Sequence, residues 1–219
     1  MGAAESVLFL ISAQVDGGGG ERGDEVRRLV ENFTLPSARV EVRAKEENEG
    51  FMAAWRTAWQ PRPGELALIA EDDAELSVHW YHWLARAWLQ YGARPELAAI
   101  SLAKQQYSSA GQRVDLVSLV QPSPLFLYSL PGFFCQSPHP AHWAAFMQQF
   151  SAQFGPCPPH TVCIARADRV TGEVEADTTA VEPWWVHYFQ QHYLFSLYLA
   201  DPATLGLDWR EAGKHYSQA

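Results

Sequence analysis

The sequence is poor in cysteine and in long apolar segments, and each shortage excludes a class of protein. Its three cysteines, Cys135, Cys157 and Cys163, form no C-x-x-C pair, so neither a zinc site nor a disulfide framework is indicated, although one pair could bridge. No apolar run approaches the length of a membrane span, and the run at 7–11 is short and lacks a basic leader. We therefore expect a soluble chain, either cytoplasmic or, if a targeting sequence lies outside it, of the Golgi or secretory route.

Positive charge is also in short supply. The chain has 16 Lys and Arg against 25 Asp and Glu, a formal net charge of −9, which argues against a broad nucleic-acid surface. An acidic protein can still bind a nucleotide through a metal ion. The length of 219 residues and the hydrophobic share of 47% exclude a disordered chain and predict a single domain over 1–219 with a substantial core.

The most informative segment is ELALIAEDDAELS. Its apolar run 66–70 ends in Glu71, Asp72 and Asp73, and Ser77 then begins an amphipathic stretch. This pattern predicts a buried strand that delivers three carboxylates to a sheet edge, followed by a helix. Adjacent carboxylates repel one another, and a divalent cation compensates them most simply. A solvated acidic turn is the alternative, but the carboxyl end of a strand is where open α/β sheets bind ligands.

Apolar strands and amphipathic helices alternate along most of the chain, with short connections. The glycine run after Asp16 lacks both the P-loop ending and the dinucleotide spacing, so a linker is favoured there. Segment 104–131 is less regular, with two strand candidates, and 156–180 is interpreted as a loop. The alternation predicts an α/β layered domain with a mostly parallel sheet. The predicted strands are 6–15, 38–44, 66–70, 97–103 and 193–200, and the predicted helices are 25–33, 51–60, Ser77 to Gly92, 137–155 and 182–191.

Four segments, taken in order, resemble one family. They are ISAQVDGG, ENEGFMAAWRTAW, IAEDDAELSVHWYHWL and a second half that runs from PGFF through VEPWW to EAGKHY. This order resembles the nucleotide-diphospho-sugar transferases of the GT-A fold, that is, family-2-like members and the β-1,2-N-acetylglucosaminyltransferases. The resemblance spans most of the chain, from about residue 8 to the end.

The resemblance implies a three-layer α/β/α domain with a mostly parallel central sheet. It divides the chain into a donor and metal half, 1–103, and an acceptor half, 104–219. In the family a further strand and helix precede the counterpart of strand 6–15. Either that first βα unit is missing here, or the alignment begins one strand late.

The resemblance also implies a metal-dependent glycosyltransferase. It would move a sugar from a nucleotide-sugar, expected to be a UDP-sugar, to a hydroxyl of a glycan, protein or small-molecule acceptor with inversion. Asp73 would coordinate Mn²⁺ or Mg²⁺, which bridges the donor diphosphate, while Glu71 and Asp72 would bind ribose or metal-bound water. Glu182 would be the general base, and His215 would approach the metal from the C-terminal tail.

Further donor contacts are expected near the N-terminus. The resemblance places Ser12 and Asp16 at the end of the first strand, and Asn48 and Gly50 at a helix start, beside the nucleotide. Each assignment has a plainer alternative. Asn48 and Gly50 could form only a turn, Glu182 could only favour its helix N-terminus through the dipole, and a histidine so close to the C-terminus could be a bystander.

Two other functions compete with sugar transfer. The first is a catalytically inactive glycosyltransferase-like interaction domain, motivated by the shortened N-terminus and by Pro183 at an otherwise acidic position. The second is a metal-dependent phosphoryl-transfer enzyme or hydrolase that uses the same carboxylates. Such sites need further ligands on neighbouring strand ends, and no second cluster of comparable density is found.

Overall fold

The computed structural model divides the chain into two compact units, Met1–Trp59 and Gln60–Ala219, and each is described by itself. The residues that the structure describes are 9–15, 21–34, 38–44, 50–71, 74–103, 114, 123–132, 135–152, 165–167, 174–176, 181–200 and 205–207.

The first unit is built on a parallel pair of strands. Strands β1 (Phe9–Val15) and β2 (Ala38–Ala44) pair along their full length, with Phe9 opposite Ala38 and Val15 opposite Ala44. Parallel neighbours need a crossover connection, and helix α1 (Glu21–Asn32) lies between them in the sequence. Helix α2 (Gly50–Ala58) follows β2. The predicted order strand, helix, strand, helix is confirmed here.

Helix α1 differs from expectation in its burial. The sequence places Val26, Leu29, Val30 and Phe33 on one helical face, the pattern of a helix packed against a core. In the structure Val30 is partly buried, but the other three are exposed, Leu29 to 67% of its surface. Most of the apolar face of α1 therefore lies outside the core formed by the described residues.

The second unit contains a five-stranded sheet. Its strands are β3 (Ile69–Ala70), β5 (Leu97–Ser101), β6 (Leu125–Tyr128), β7 (Cys135–Pro138) and β10 (Phe195–Leu199). They are arranged in the order β3-β7-β5-β10-β6. Only the pair β5/β10 is parallel, and the other three pairs are antiparallel. The broad α/β prediction is confirmed, but the prediction of a mostly parallel sheet was wrong for this sheet.

The error has a physical cause in β7. Its sequence, CQSP, has no apolar run and ends in proline, so no strand pattern is visible, yet all four residues are buried. It lies between β3 and β5 and runs antiparallel to both. Together with β6, which runs antiparallel to β10 at the end of the sheet, this short polar strand makes the sheet mixed.

Helices cover both faces of this sheet. On one face, α3 (Trp80–Tyr91) packs Leu84 and Trp88 against Ile100 and Leu197. On the other face lies an aromatic cluster from α4 (Pro140–Ala152) and α5 (Glu182–His192). Its rings are in direct contact, and the centroids of Phe146 and Trp185 are 4.5 Å apart. The buried members of the cluster are Trp143, Phe146, Phe150, Trp185, Tyr188 and Phe189.

Two small strand pairs complete the described structure. Strand β4 (Ala74–Leu76) pairs antiparallel with β11 (Leu205–Leu207), and β8 (Ala165–Ala167) pairs antiparallel with β9 (Val174–Ala176). Segment 156–180 was predicted as a loop, so β8 and β9 correct that prediction. Strands of three residues are too short to show a period of two in the sequence.

Candidate functional site

The carboxyl ends of three strands define one edge of the five-stranded sheet. Because β3 and β5 are both antiparallel to β7, and β10 is parallel to β5, all three run in the same direction. Glu71 directly follows the last residue of β3, Ala70. It therefore lies at the carboxyl edge and is partly buried. The prediction of a buried strand before it was wrong, because β3 has two residues, Ala70 is exposed and Leu66 is exposed to 54% of its surface.

Glu182 lies at the same edge. Helix α5 begins at Glu182 and leads through a two-residue connection into β10, which runs toward the carboxyl edge. The helix must therefore run away from that edge, so its first turn lies there. A hydrogen bond confirms this placement, because Trp185 Nε1 donates to Gln136 Oε1 at 3.1 Å. Gln136 is aligned with Ser101, the last residue of β5.

The start of α5 is shielded from solvent. Val181 and Pro183 are buried, and the Oε2 atom of Glu182 is buried as well. The backbone N–H groups of Trp184 and Trp185 both donate to the Val181 carbonyl at 3.0 Å. The helix N-terminus favours a negative charge at this position, whereas burial disfavours it.

The C-terminal segment returns to the strand that follows the acidic triplet. Ala74, the residue after Asp73, is opposite Leu207 in the β4/β11 pair, and Leu76 is opposite Leu205. Strand β11 is thus hydrogen-bonded to β4, which begins one residue after Asp73 in the sequence. The predicted approach of the tail to the acidic residues stays a prediction, because Asp72, Asp73 and His215 lie outside the described residues.

The other predicted site residues are distributed as follows. Ser12 lies in β1, where its backbone is opposite Glu41, and Gly50 is the first residue of α2; both belong to the first unit. The remaining predicted ligands lie outside the described residues, namely Asp16, Asn48, Asp72, Asp73 and His215. Among the residues that the structure does describe, no group of three or more His, Cys, Asp or Glu side chains could hold a metal ion.

Sequence reasoning missed the buried polar side chains of the sheet. Gln136, Ser137, Ser101 and Ser196 are all fully buried. Trp88 Nε1 donates to Ser137 Oγ at 2.8 Å, and Ser137 Oγ donates to the Ala67 carbonyl at 2.5 Å. The only sequence signal for these side chains was the polar pair Gln136 and Ser137, shortly after PGFF, in a region otherwise rich in aromatic residues.

A pair of histidines links the start of α4 to the connection between α3 and β5. His139 Nδ1 accepts a hydrogen bond from the Ala141 N–H at 3.2 Å, and His142 Nε2 lies 3.0 Å from the Pro95 carbonyl oxygen. The two rings are 5.2 Å apart. Burial lowers the pKa of His139, the neighbouring His142 lowers it further, and a hydrogen bond with the Gly92 backbone opposes the shift.

This geometry predicts a pH-dependent stability. The lowered pKa means that the unfolded chain binds the His139 proton more readily than the folded chain does. The stabilisation that neutral His139 gives the folded chain is therefore fully present above about pH 6.5, its ordinary pKa. It is lost as the pH falls toward the lower pKa that His139 has in the folded chain. Urea unfolding at several pH values between about 5 and 8 measures the slope.

His139→Asn supplies the test of that slope. Asparagine keeps a side-chain acceptor at the helix N-cap but does not titrate, so the slope should flatten. His82→Asn, on an exposed position of α3, is the matched control and should leave the slope as in the wild type. An undiminished slope in His139→Asn would contradict the assignment.

No helix in the described ranges combines the length and the apolar character needed to cross a membrane. No protein-family model matches the chain, and no curated protein matches it significantly.

Proposed function

We propose that this chain is a metal-dependent glycosyltransferase with a GT-A fold, which moves a sugar from a UDP-sugar to an acceptor hydroxyl with inversion. The observation that carries the proposal is that Glu71 and Glu182, which are distant in the sequence, both lie at the carboxyl edge of one sheet. This edge is where α/β sheets bind their ligands.

The acidic triplet supplies the donor side of the proposed site. Asp73, with His215 from the tail, would hold Mn²⁺ or Mg²⁺, and Glu71 and Asp72 would contact ribose or metal-bound water. Carboxylate oxygens with one imidazole suit such a cation. When bound, the metal supplies compensation for the charge on the leaving diphosphate. The pairing of β4 with β11 supports the participation of the tail.

Glu182 supplies the acceptor side. Its carboxylate would take the proton of the acceptor hydroxyl as the oxygen attacks the anomeric carbon, and the bond to the diphosphate would break on the opposite side of the sugar. The configuration at that carbon would then invert. A general base must be ionised before the reaction, and the N-terminus of α5 favours that charge. Ser12, Asp16, Asn48 and Gly50 would contact the nucleotide.

The proposal predicts that UDP with Mn²⁺ stabilises the folded chain. A ligand at 100 times its Kd adds about 2.7 kcal/mol, which for a chain of this size raises the Tm by about 5 °C or more. Differential scanning fluorimetry with UDP plus Mn²⁺, and with UDP plus EDTA, measures the effect. Asp73→Asn should abolish the shift. No shift with any nucleoside diphosphate plus Mn²⁺ would argue against the proposal.

A further inference from the structure

Strand β7 holds a tryptophan on each face of the sheet through two adjacent polar side chains. Ser137 Oγ accepts from Trp88 Nε1 of α3 at 2.8 Å, and Gln136 Oε1 accepts from Trp185 Nε1 of α5 at 3.1 Å. Neighbouring residues of a strand point to opposite faces. The strand thus anchors one helix on each side by the same kind of buried hydrogen bond.

The two anchors differ in how completely their polar atoms are used. Ser137 Oγ accepts from Trp88 and donates to the Ala67 carbonyl, so both functions of the hydroxyl are satisfied. Gln136 Nε2 is buried and has no hydrogen-bond partner among the described residues. A buried donor without a partner destabilises the fold. An apolar side chain of equal length would remove that donor, but it would leave the buried Trp185 Nε1 without its acceptor. The hydrogen bond to Trp185 is therefore what glutamine supplies at position 136.

The position of Gln136 relates this hydrogen bond to the proposed site. It lies between Ile69 of β3, the strand that leads to Glu71, and Ser101 at the end of β5. Its hydrogen-bond partner, Trp185, lies one helical turn after Glu182, on the same side of α5. Gln136 is thus the polar link between the strand beside the acidic triplet and the first turn of the helix that carries the proposed base.

We propose that Gln136 is a positioning residue, which fixes Glu182 relative to the acidic triplet by holding the Trp185 indole. The inference rests on the proposed function. The ring of Trp185 also packs against Phe146 and Phe189, at centroid distances of 4.5 and 4.9 Å. Aromatic contacts also favour particular ring geometries, and the hydrogen bond adds a directional link between the indole and β7. A misplacement of about 1 Å at a reacting group reduces a rate by as much as about 10²-fold.

The test compares Gln136→Met, Trp185→Phe and their double variant with Trp88→Phe as the matched control. The assay is UDP release from UDP-sugars in the presence of Mn²⁺. We expect each single variant to lower kcat by about 10-fold or more with KM for the donor unchanged. The double variant should be no slower than the slower single variant, because both remove the same hydrogen bond. Trp88→Phe should lower the Tm but leave kcat within about twofold.

Three outcomes would overturn the inference while leaving the proposed function intact. They are an unchanged kcat in Gln136→Met, losses that multiply in the double variant, and a loss of kcat in Trp88→Phe equal to that in Trp185→Phe. The shift in Tm produced by UDP and Mn²⁺ in each variant reports whether the donor site is retained. If Gln136→Met does not fold, the comparison of kcat in Trp185→Phe with kcat in Trp88→Phe tests the inference by itself. A wild-type chain that neither releases UDP nor is stabilised by it overturns the proposed function, and this inference with it.

Discussion

Replacing Glu182 by glutamine is expected to lower kcat for sugar transfer by about 10²- to 10⁴-fold, the usual contribution of a general base. The amide keeps the size of the side chain and its place at the start of α5, but it cannot accept the proton of the acceptor hydroxyl. The KM for the donor should change little, because the role of Glu182 concerns the acceptor. Steady-state assays of UDP release, with donor and acceptor varied in turn, measure both parameters.

The control for this variant is Glu75→Gln. Glu75 is an exposed carboxylate of β4, the strand that directly follows the acidic triplet. Its replacement removes one negative charge near the proposed site without touching α5, so kcat should remain within about twofold. A Glu182→Gln variant that retains more than about a tenth of the wild-type kcat would exclude this residue as the base.

The second large effect is on stability. Trp143→Ala should lower the free energy of unfolding by about 3–5 kcal/mol, as is typical when a large aromatic side chain is removed from a core. Trp143 is fully buried, and its ring packs edge-on against Trp185 at a centroid distance of 5.6 Å and against Phe146 at 5.9 Å. Its removal leaves a cavity between α4 and α5 that neighbouring rings cannot fill completely.

Trp184→Ala is the matched comparison for that variant. Trp184 is only partly buried, and its ring contacts Phe150 at a centroid distance of 5.9 Å. Its loss should cost clearly less than that of Trp143. Urea unfolding of both variants, with the m-value checked for two-state behaviour, gives the two free energies. An equal cost for the two variants would contradict the described core.

Local sequence patterns predicted most of the individual elements. Strand β2 coincides with the predicted segment 38–44, and α5 begins at Glu182 as predicted. Helix α4, Pro140–Ala152, lies within the predicted 137–155, but the predicted start was wrong, because Ser137 and Pro138 belong to strand β7. These elements have either clear apolar periodicity or a proline in the first turn, and both are local signals.

The order of the strands could not be predicted in the same way. The position of β7 in the sheet depends on buried polar side chains that bond to tryptophans 49 positions away in sequence. No local period encodes such a contact. The predicted strand 66–70 was too long, because only Ile69–Ala70 of that apolar run pairs with a neighbouring strand. The neighbour is β7, which carries no strand pattern in the sequence.

In the candidate site, too, the local features were predictable from the sequence and the long-range arrangement was not. The position of Glu71 at the end of an apolar strand was readable from the sequence, and so was that of Glu182 at the start of a helix. Their presence at one edge follows from the direction of β10 relative to β5, which is a property of the sheet. Gln136 was not identified, because a lone glutamine in CQSP carries no sign of burial before the sheet is known.

The most direct measurement is the release of UDP from a panel of UDP-sugars by the wild-type chain, with Mn²⁺ and with EDTA. We predict release that requires Mn²⁺ and that is lost in Asp73→Asn. If the folded wild type releases no UDP from any donor, sugar transfer is contradicted, and the inactive interaction domain is the hypothesis that remains. Release of UMP and a sugar phosphate instead would identify a hydrolase that uses the same carboxylates.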